Sequence, residues 1–183
     1  MTDSPRQVLL NAAGVAETLA RMSRDIVSFA GGTDNLILIG IQRRGSDLAR
    51  RLCALIAARE GEEVPLGVMD ITLYRDDLQT VGPRPVVGET RLPTELDHRW
   101  IVIVDDVLYT GRTIRAAMDQ LADFGRPARI GLAVLVDRGG RELPIQADIV
   151  GITVDVQPGH RVDVLVSEPD GRDAVELVDG GGT

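Results

Sequence analysis

The chain of 183 residues contains no lysine, and all 20 of its basic residues are arginines. This absence excludes Schiff-base chemistry and the phosphate-binding motif GxxxxGK[ST], because both require a lysine. Arginine therefore supplies every side-chain positive charge, apart from that of a protonated histidine, and its planar guanidinium can donate to two phosphate oxygens at once. The net charge of −8 argues against a protein that coats nucleic acid non-specifically, but a local arginine patch stays possible.

The chain also has only one cysteine, Cys53, which excludes an internal disulfide framework and a cysteine-based zinc site. In RRLCALIAAR, helical spacing sets this cysteine among apolar residues, and the pattern favours a buried free thiol over a nucleophile. No apolar run approaches the roughly 20 residues of a membrane span. The N-terminal MTDSPRQVLL lacks the basic segment and apolar core of a secretory signal. We therefore expect a cytoplasmic protein with no membrane partner.

Patterns of helical and strand period alternate along most of the chain. They predict a helix over residues 11–30, a buried strand at 36–41, a helix from near Ser46, strands at 64–74 and 100–106, a helix at 112–124, and strands at 129–137 and 147–152. This alternation indicates an α/β domain whose parallel sheet is covered by helices on both faces. Two alternating segments around EPDG predict a C-terminal β-hairpin at about 160–179. We predict a single domain over residues 1–183.

One long connection interrupts the alternation. Residues 75–99 hold three of the chain's nine prolines, with mixed charges and no clear period. A connection of this length inside a compact domain is usually functional or mobile. We predict a flexible loop at about residues 75–95.

The most informative stretch is IVIVDDVLYTGRT, where an apolar strand runs into two aspartates and then into a loop that opens a helix. Ligands of parallel α/β sheets bind beyond the carboxyl ends of the strands. The free N–H groups of the helix's first turn, with Gly111 and two threonine hydroxyls, would fit a phosphate. Asp105 and Asp106 can accept from sugar hydroxyls or from the hydration shell of magnesium. The pattern predicts a site for a phosphorylated ribose; the alternative is that the aspartates and threonine only cap the helix.

This stretch resembles the phosphoribosyl pyrophosphate (PRPP) motif of type I phosphoribosyltransferases. Four segments together resemble the PyrR family, the pyrimidine operon regulators that also act as uracil phosphoribosyltransferases: IGIQRRGSDLARRL, MDITLYRDDL, DDVLYTGRTIRAAMD and LVDRGGRELPIQADIVG. The resemblance implies a type I phosphoribosyltransferase fold, with a parallel-sheet core flanked by helices, a small hood and a C-terminal hairpin. It also implies transfer of ribose 5-phosphate from PRPP to uracil, with magnesium, giving UMP and pyrophosphate.

The resemblance assigns roles to individual residues. Asp105, Asp106 and Arg43 would be catalytic, the two aspartates at the ribose hydroxyls and the arginine at the pyrophosphate. Further substrate contacts are implied for Gln42, Arg44, Tyr74, Arg75, Asp76, Val107, Leu108, Tyr109, Thr110, Gly111, Arg112, Thr113, Val136, Asp137 and Arg138. Residues 109–113 would hold the 5-phosphate, 42–44 the pyrophosphate and 136–138 the base, whereas magnesium would be bound through PRPP and water, without a direct protein ligand. The alternatives are that Arg43 and Arg44 are solvated surface residues and that Asp137 only ends its strand.

The family resemblance implies a second activity, the binding of a stem-loop in the leader of pyrimidine messenger RNA, favoured by UMP and UTP. Because there is no lysine, arginine must make the RNA contacts. The candidates are Arg21, Arg24, Arg138 and Arg141. Each is also a normal surface residue.

Two departures from the family pattern bear on the RNA activity. Ala20 stands where the family usually has a threonine before the arginine, and ITVDVQPG, which adds Asp155, replaces a lysine-containing segment. Two alternative functions also stay open: a nucleotide-sensing RNA-binding regulator with little catalysis, and a phosphoribosyltransferase for another base without RNA binding. The family forms dimers and larger rings, so we expect a homodimer or a larger homo-oligomer.

Overall fold

The computed structural model describes residues 6–74 and 88–179 of the chain. Its strands are β1 (Arg6–Leu10), β2 (Leu36–Ile41), β3 (Leu66–Met69), β4 (Trp100–Leu108), β5 (Arg129–Asp137), β6 (Ile149–Thr153), β7 (His160–Leu165) and β8 (Ala174–Asp179). Its helices are α1 (Ala12–Ala30), α2 (Arg44–Glu60), α3 (Arg112–Ala122) and α4 (Ser167–Asp170), with a 3-10 turn at Thr72–Tyr74. None of the helices in these two ranges is long and apolar enough to cross a membrane.

Five strands form the central sheet in the order β3-β2-β4-β5-β6, and every pair is parallel. Successive side chains of a strand point to opposite faces of the sheet, so each strand contributes side chains to the packing on both faces. Leu38 and Val102 pack with residues of α1 and α2 in one buried cluster. Ile39 and Ile103 pack with residues of α3 in the other. The predicted parallel sheet with helices on both faces is confirmed.

A second sheet is antiparallel and has the order β1-β8-β7; we call it, together with α4, the hood. The predicted C-terminal hairpin is confirmed, since β7 pairs with β8 and α4 lies in their connection. The sequence did not predict β1, whose five residues carry too little periodic signal. In the fold, Arg6 of β1 donates to Glu176 at 3.0 Å, and that β8 carboxylate is almost fully buried. Long-range pairing therefore decides the conformation of β1.

The predicted strand at 64–74 is too long, because β3 ends at Met69. The carboxylate of Asp70 accepts hydrogen bonds from the amide and the hydroxyl of Thr72, at 2.8 and 2.5 Å. An aspartate that bonds the backbone two residues on favours a turn over an extended chain. The chain therefore leaves the sheet at the end nearest the predicted pyrophosphate segment.

Two further boundaries differ at the same edge of the sheet. β4 continues to Leu108, two residues beyond the predicted end, because its pairing with β5 extends to Leu108 and Asp137. Helix α2 begins at Arg44 and not near Ser46. Both shifts extend regular structure further into the segments predicted to bind substrate.

Candidate active site

The carboxyl ends of β2, β4 and β5 lie side by side at one edge of the central sheet, because these strands are parallel neighbours. Each end carries one of the predicted substrate segments: residues 42–44 after β2, 105–113 at the end of β4, and 136–138 at the end of β5. The fold thus brings together three segments that are far apart in the sequence. Such a crevice beyond the strand ends is where ligands of α/β proteins bind.

The two adjacent aspartates at the end of β4 have different surroundings. Asp105 is 6% exposed and Asp106 is half-buried. Burial, and then the charge of Asp106, raise the pKa of Asp105 well above its ordinary value. The carboxylate of Asp105 accepts from the amide of Asp106, and that of Asp106 accepts from the amide of Val107. The carboxylate of Asp106 is therefore the more accessible of the two.

Neither aspartate caps the helix that follows. The N-cap of α3 is Gly111, with a left-handed φ of 91°, a conformation that favours glycine. Among the described residues, only Thr110 makes a side-chain contact of the capping kind, since its hydroxyl accepts from the amide of Arg112 at 3.4 Å. The structure therefore rejects capping as the reason for the paired aspartates. The first amides of α3 have no partner within the helix and form a donor group suited to an anion.

The segment after β5 holds residues 109–113, the predicted 5-phosphate segment, which we call the phosphate loop. The carbonyl of Thr110 accepts from the amides of Glu142 and Leu143 at 3.0 and 3.1 Å. The side chain of Glu142 accepts from Arg112 Nε at 2.7 Å. Both side chains of this ion pair are about half exposed, so its contribution to stability is small. The backbone contacts matter more, because they set the position of the loop that opens α3.

The segment after β2 packs tightly against β4. Gly40 and Gly45 allow this approach: a Cβ at Gly40 would overlap the backbone of Ser46, and one at Gly45 would lie 2.6 Å from the carbonyl oxygen of Val104. The Gln42–Arg43 peptide bond is cis. Gln42 donates to the carbonyl of Glu89 at 3.1 Å. The start of α2 is thus held within reach of the aspartates.

The two arginines of this segment have separate surroundings. Arg43 is exposed and is the N-cap residue of α2. Arg44 donates from Nε and Nη2 to the two carboxylate oxygens of Asp170 in the hood, each at 3.0 Å. The alternative that both arginines are solvated surface residues therefore holds for Arg43 but not for Arg44. Sequence reasoning missed Asp170, since no local pattern connects it with an arginine 126 positions away.

Of the predicted base-binding residues 136–138, Arg138 lines a cavity of about 550 Å³, whose lining also includes Tyr109, Gly139, Gln157 and His160. The guanidinium of Arg138 lies 4.0 Å above the ring of Tyr109, a cation–π contact. Val136 is fully buried in the core. The strand end, the exposed tyrosine and the hood therefore enclose one space next to the phosphate loop.

Asp137 does more than end β5. Its carboxylate accepts from Arg141 Nη2 at 2.6 Å and from the amide of Gly139 at 3.0 Å. Burial alone would raise the pKa of Asp137, but these hydrogen bonds outweigh it and lower that pKa. Arg141 also donates to the carbonyls of Tyr109 and Ile145. Asp137 thus anchors the arginine that holds the segment after β5 against the phosphate loop.

The predicted contacts at Arg75 and Asp76 lie outside the described residues, as does most of the predicted loop at about 75–95. Tyr74 lies at its described edge and donates its hydroxyl to Asp123 at 2.6 Å. On the far side, the amide of Gly88 donates to the carboxylate of Asp70. Asp70 therefore binds the chain on both sides of the segment, a role that the sequence did not predict.

The four arginines predicted to bind RNA have unequal freedom. Arg24 is exposed on α1. Arg21 pairs with Asp25 at 3.0 Å and also donates to carbonyls of β6. Arg138 and Arg141 make the contacts described above. Arg24 is the member of the set whose side chain is most accessible.

The described residues contain no group of three or more histidine, cysteine, aspartate or glutamate side chains that could hold a metal ion. The aspartate pair at the end of β4 offers oxygen donors, the kind that magnesium prefers. The residues present therefore fit magnesium.

A family model described as "Phosphoribosyl transferase domain" matches residues 7–162. Solved structures have the same fold: the hypoxanthine phosphoribosyltransferase of Trypanosoma cruzi has a TM-score of 0.70 at 18% identity and covers 94% of this chain and 96% of its own. A hypoxanthine phosphoribosyltransferase from Staphylococcus aureus has a TM-score of 0.67 at 16% identity, with 94% and 92% covered. Fold and matched domain therefore define a type I phosphoribosyltransferase, as predicted.

Two relatives of higher sequence identity show which family of phosphoribosyltransferases the chain belongs to. A "Bifunctional protein PyrR" of Thermus aquaticus is 57% identical over 169 residues, which are 92% of this chain and 93% of that protein. One of Deinococcus deserti is 49% identical over 176 residues, 96% of each. The chain belongs to the PyrR family, and the predicted family is confirmed.

Proposed function

We propose that this chain transfers ribose 5-phosphate from PRPP to uracil, giving UMP and pyrophosphate, and that it also regulates pyrimidine biosynthesis genes by binding leader messenger RNA in response to UMP and UTP. The observation that carries the transferase proposal is the meeting of three groups at one edge of the sheet. They are the aspartate pair, the open first turn of α3, and the two arginines at the start of α2. The name "Bifunctional protein PyrR" of the relatives supports both activities.

The donors and charges of these groups support a division of the substrate among them. The amides of residues 111–113 suit the 5-phosphate, because a helix's first turn combines backbone donors with a partial positive charge. Asp106 is accessible and suits a ribose hydroxyl. Arg43 and Arg44 suit the pyrophosphate, since each guanidinium can bond two oxygens. The cavity beside Arg138 suits the base.

The chemistry then requires little covalent participation by the protein. The bond from the ribose to pyrophosphate breaks, a bond to a ring nitrogen of uracil forms, pyrophosphate leaves with the bonding electrons, and the proton of that nitrogen passes to the solvent. The chain's residues bind the two ends of PRPP and align the base with the reacting carbon, and such positioning can supply a large share of the rate. Magnesium, when bound with PRPP, would supply further positive charge to the leaving pyrophosphate.

UMP formation from PRPP, magnesium and a panel of bases tests the transferase directly. We expect turnover with uracil and its loss in the Asp105→Asn/Asp106→Asn double variant. The matched control is Glu95→Gln/Asp119→Asn, which also removes two negative charges but only from exposed pairs with arginines. Turnover with a purine and not uracil would assign another base. UMP binding without turnover of any base would make the protein a nucleotide sensor.

RNA binding needs a separate test, because the transferase site does not imply it. We expect the leader RNA of the pyrimidine genes to bind more tightly with UMP present, in filter binding at several salt concentrations. Arg24→Gln should weaken binding and reduce the salt dependence, since phosphate contacts release counterions. Arg59→Gln, an exposed arginine on α2, is the control. Equal binding by all three proteins would remove Arg24 from the RNA surface.

The protein is also proposed to form a homodimer or a larger homo-oligomer. Analytical ultracentrifugation with and without RNA would give the mass. A monomer in both conditions would contradict this part of the proposal.

A further inference from the structure

Two arginines of α2 bind the connection between the hood strands β7 and β8. Arg44 makes a two-pronged ion pair with Asp170, as described above. Arg51, two turns further along α2, donates to Ser167, Glu168 and Asp173. The hood therefore lies against α2 through charged hydrogen bonds at two points.

The two points differ in their distance from the site. Arg44 is the first residue of α2, next to Arg43 and the predicted pyrophosphate segment, whereas Arg51 lies two turns away from it. The hydrogen bond to Asp170 raises the pKa of Arg44, and the charge of Asp106 adds to that rise. Arg44 thus lies between a carboxylate of the hood and a carboxylate of the site. Among the described residues, Arg51 interacts by its side chain with the β7–β8 connection alone.

Asp170 binds only one edge of the Arg44 guanidinium. Nε and Nη2 face Asp170, whereas Nη1 makes no hydrogen bond within residues 6–74 and 88–179. The side chain is 40% exposed, against 21% for Arg51. Asp170 is itself fixed, because it accepts from the amide of Val166 at 2.9 Å. A rigid carboxylate therefore orients a guanidinium that keeps free donors.

We propose that Asp170 is a positioning residue, which holds the Arg44 guanidinium so that its free edge is ready for the pyrophosphate of PRPP. The proposal rests on the proposed transferase function. An unrestrained arginine loses considerable side-chain freedom when a ligand orders it. Because Asp170 already orders the Arg44 side chain when the protein folds, that loss of freedom does not weaken the binding of PRPP.

The test compares Asp170→Asn with Glu168→Gln. Both variants neutralise one carboxylate of α4 that pairs with an arginine of α2, but only the first one pairs with Arg44. We expect Asp170→Asn to raise the KM for PRPP about 3- to 10-fold with kcat changed less than about twofold, the effect of leaving one long side chain to be ordered on binding. Glu168→Gln should leave KM unchanged, and Asp170→Glu, which keeps the charge, should recover part of the loss.

Calorimetric binding of PRPP without uracil, together with Tm, separates the possible outcomes. Equal losses of affinity in Asp170→Asn and Glu168→Gln, in proportion to their losses of Tm, would mean that Asp170 is only structural. Tighter PRPP binding by Asp170→Asn would mean that Asp170 competes for Arg44, which also overturns the proposal. If the wild-type protein binds PRPP but forms no UMP, the proposed function fails and the two affinities still decide the role of Asp170. No PRPP binding by the wild-type protein would overturn both.

Discussion

Two helices begin at the functional edge of the sheet, and their first turns differ in how charge is arranged. At the start of α2, Arg43 makes no ion pair with the described residues and Arg44 is held by Asp170. At the start of α3, the N-cap is Gly111, and Arg112 is paired with Glu142. Both turns offer amides to an anion, but only α2 adds free side-chain charge. This difference fits pyrophosphate at α2 and the less highly charged 5-phosphate at α3.

The two turns also differ in what fixes them. The start of α2 is held by close packing, since Gly45 leaves no room for a side chain against the β4 backbone. The phosphate loop is held by hydrogen bonds from the segment after β5 to the carbonyl of Thr110. A substitution that adds atoms at the packed start of α2 should therefore disturb the site more than one that weakens a contact of the phosphate loop.

The largest effect is expected for Gly45→Ala. The new Cβ would lie 2.6 Å from the carbonyl oxygen of Val104, so the start of α2 must move. We expect at least a 100-fold fall in UMP formation, because misplacement by about 1 Å can cost that much, and a loss of about 1–3 kcal/mol in the free energy of unfolding. Gly14→Ala is the control, since there the nearest atom belongs to the flexible Leu10 side chain. Wild-type activity in Gly45→Ala would show that this packing does not position the site.

The next effect separates the arginines of the two turns. Arg43→Gln should lower kcat/KM for PRPP by about 10- to 100-fold, the loss of a charged contact made without compensation. Arg112→Gln should cost less than about fivefold, because this arginine is already paired with Glu142 at the surface. Steady-state kinetics at fixed uracil would measure both. A larger loss for Arg112→Gln would reverse the proposed assignment of the two phosphates.

Asp105, which lies at the end of β4 close to both turns, makes the stability of the protein depend on pH. Burial raises the folded-state pKa of Asp105 above the ordinary value of 3.8. The protonated Asp105 therefore stabilises the folded protein fully below pH 3.8, and this stabilisation is lost as the pH rises through the folded-state pKa. Asp105→Asn should therefore raise Tm at pH 7 and leave it unchanged near pH 3. Thermal scans over this range would measure the difference. Asp106→Asn, at a half-buried position, should change Tm less, and equal pH dependence in the two variants would contradict the prediction.

The smallest effect is expected at the base cavity. Tyr109→Ala removes the ring under Arg138 and should raise the KM for uracil about two- to fivefold, the value of an exposed cation–π contact. Tyr109→Phe keeps the ring and should match the wild-type protein. If the phenylalanine variant shows the full loss, the hydroxyl and not the ring is what matters.

Local pattern predicted the parallel core well. The apolar run 36–41 and the strand 129–137 have the predicted bounds, because side chains buried on both faces of a sheet leave a continuous apolar signal. The pattern was weakest where a polar side chain redirects the chain. Asp70 ends β3 by bonding Thr72, which an apolar pattern does not register. The roles of the predicted substrate and RNA residues stay predictions.

By itself, the sequence determined the family, the strand–helix order of the central sheet and the position of the aspartate pair at a strand end, because these depend on residues that are neighbours in the chain. Only the tertiary structure decided which charges are free. Arg43 and Arg44 look equivalent in the sequence, yet one is exposed and the other is bound to Asp170, 126 positions away. Ion pairs between distant segments depend on how the hood packs on α2, and no local period encodes that contact.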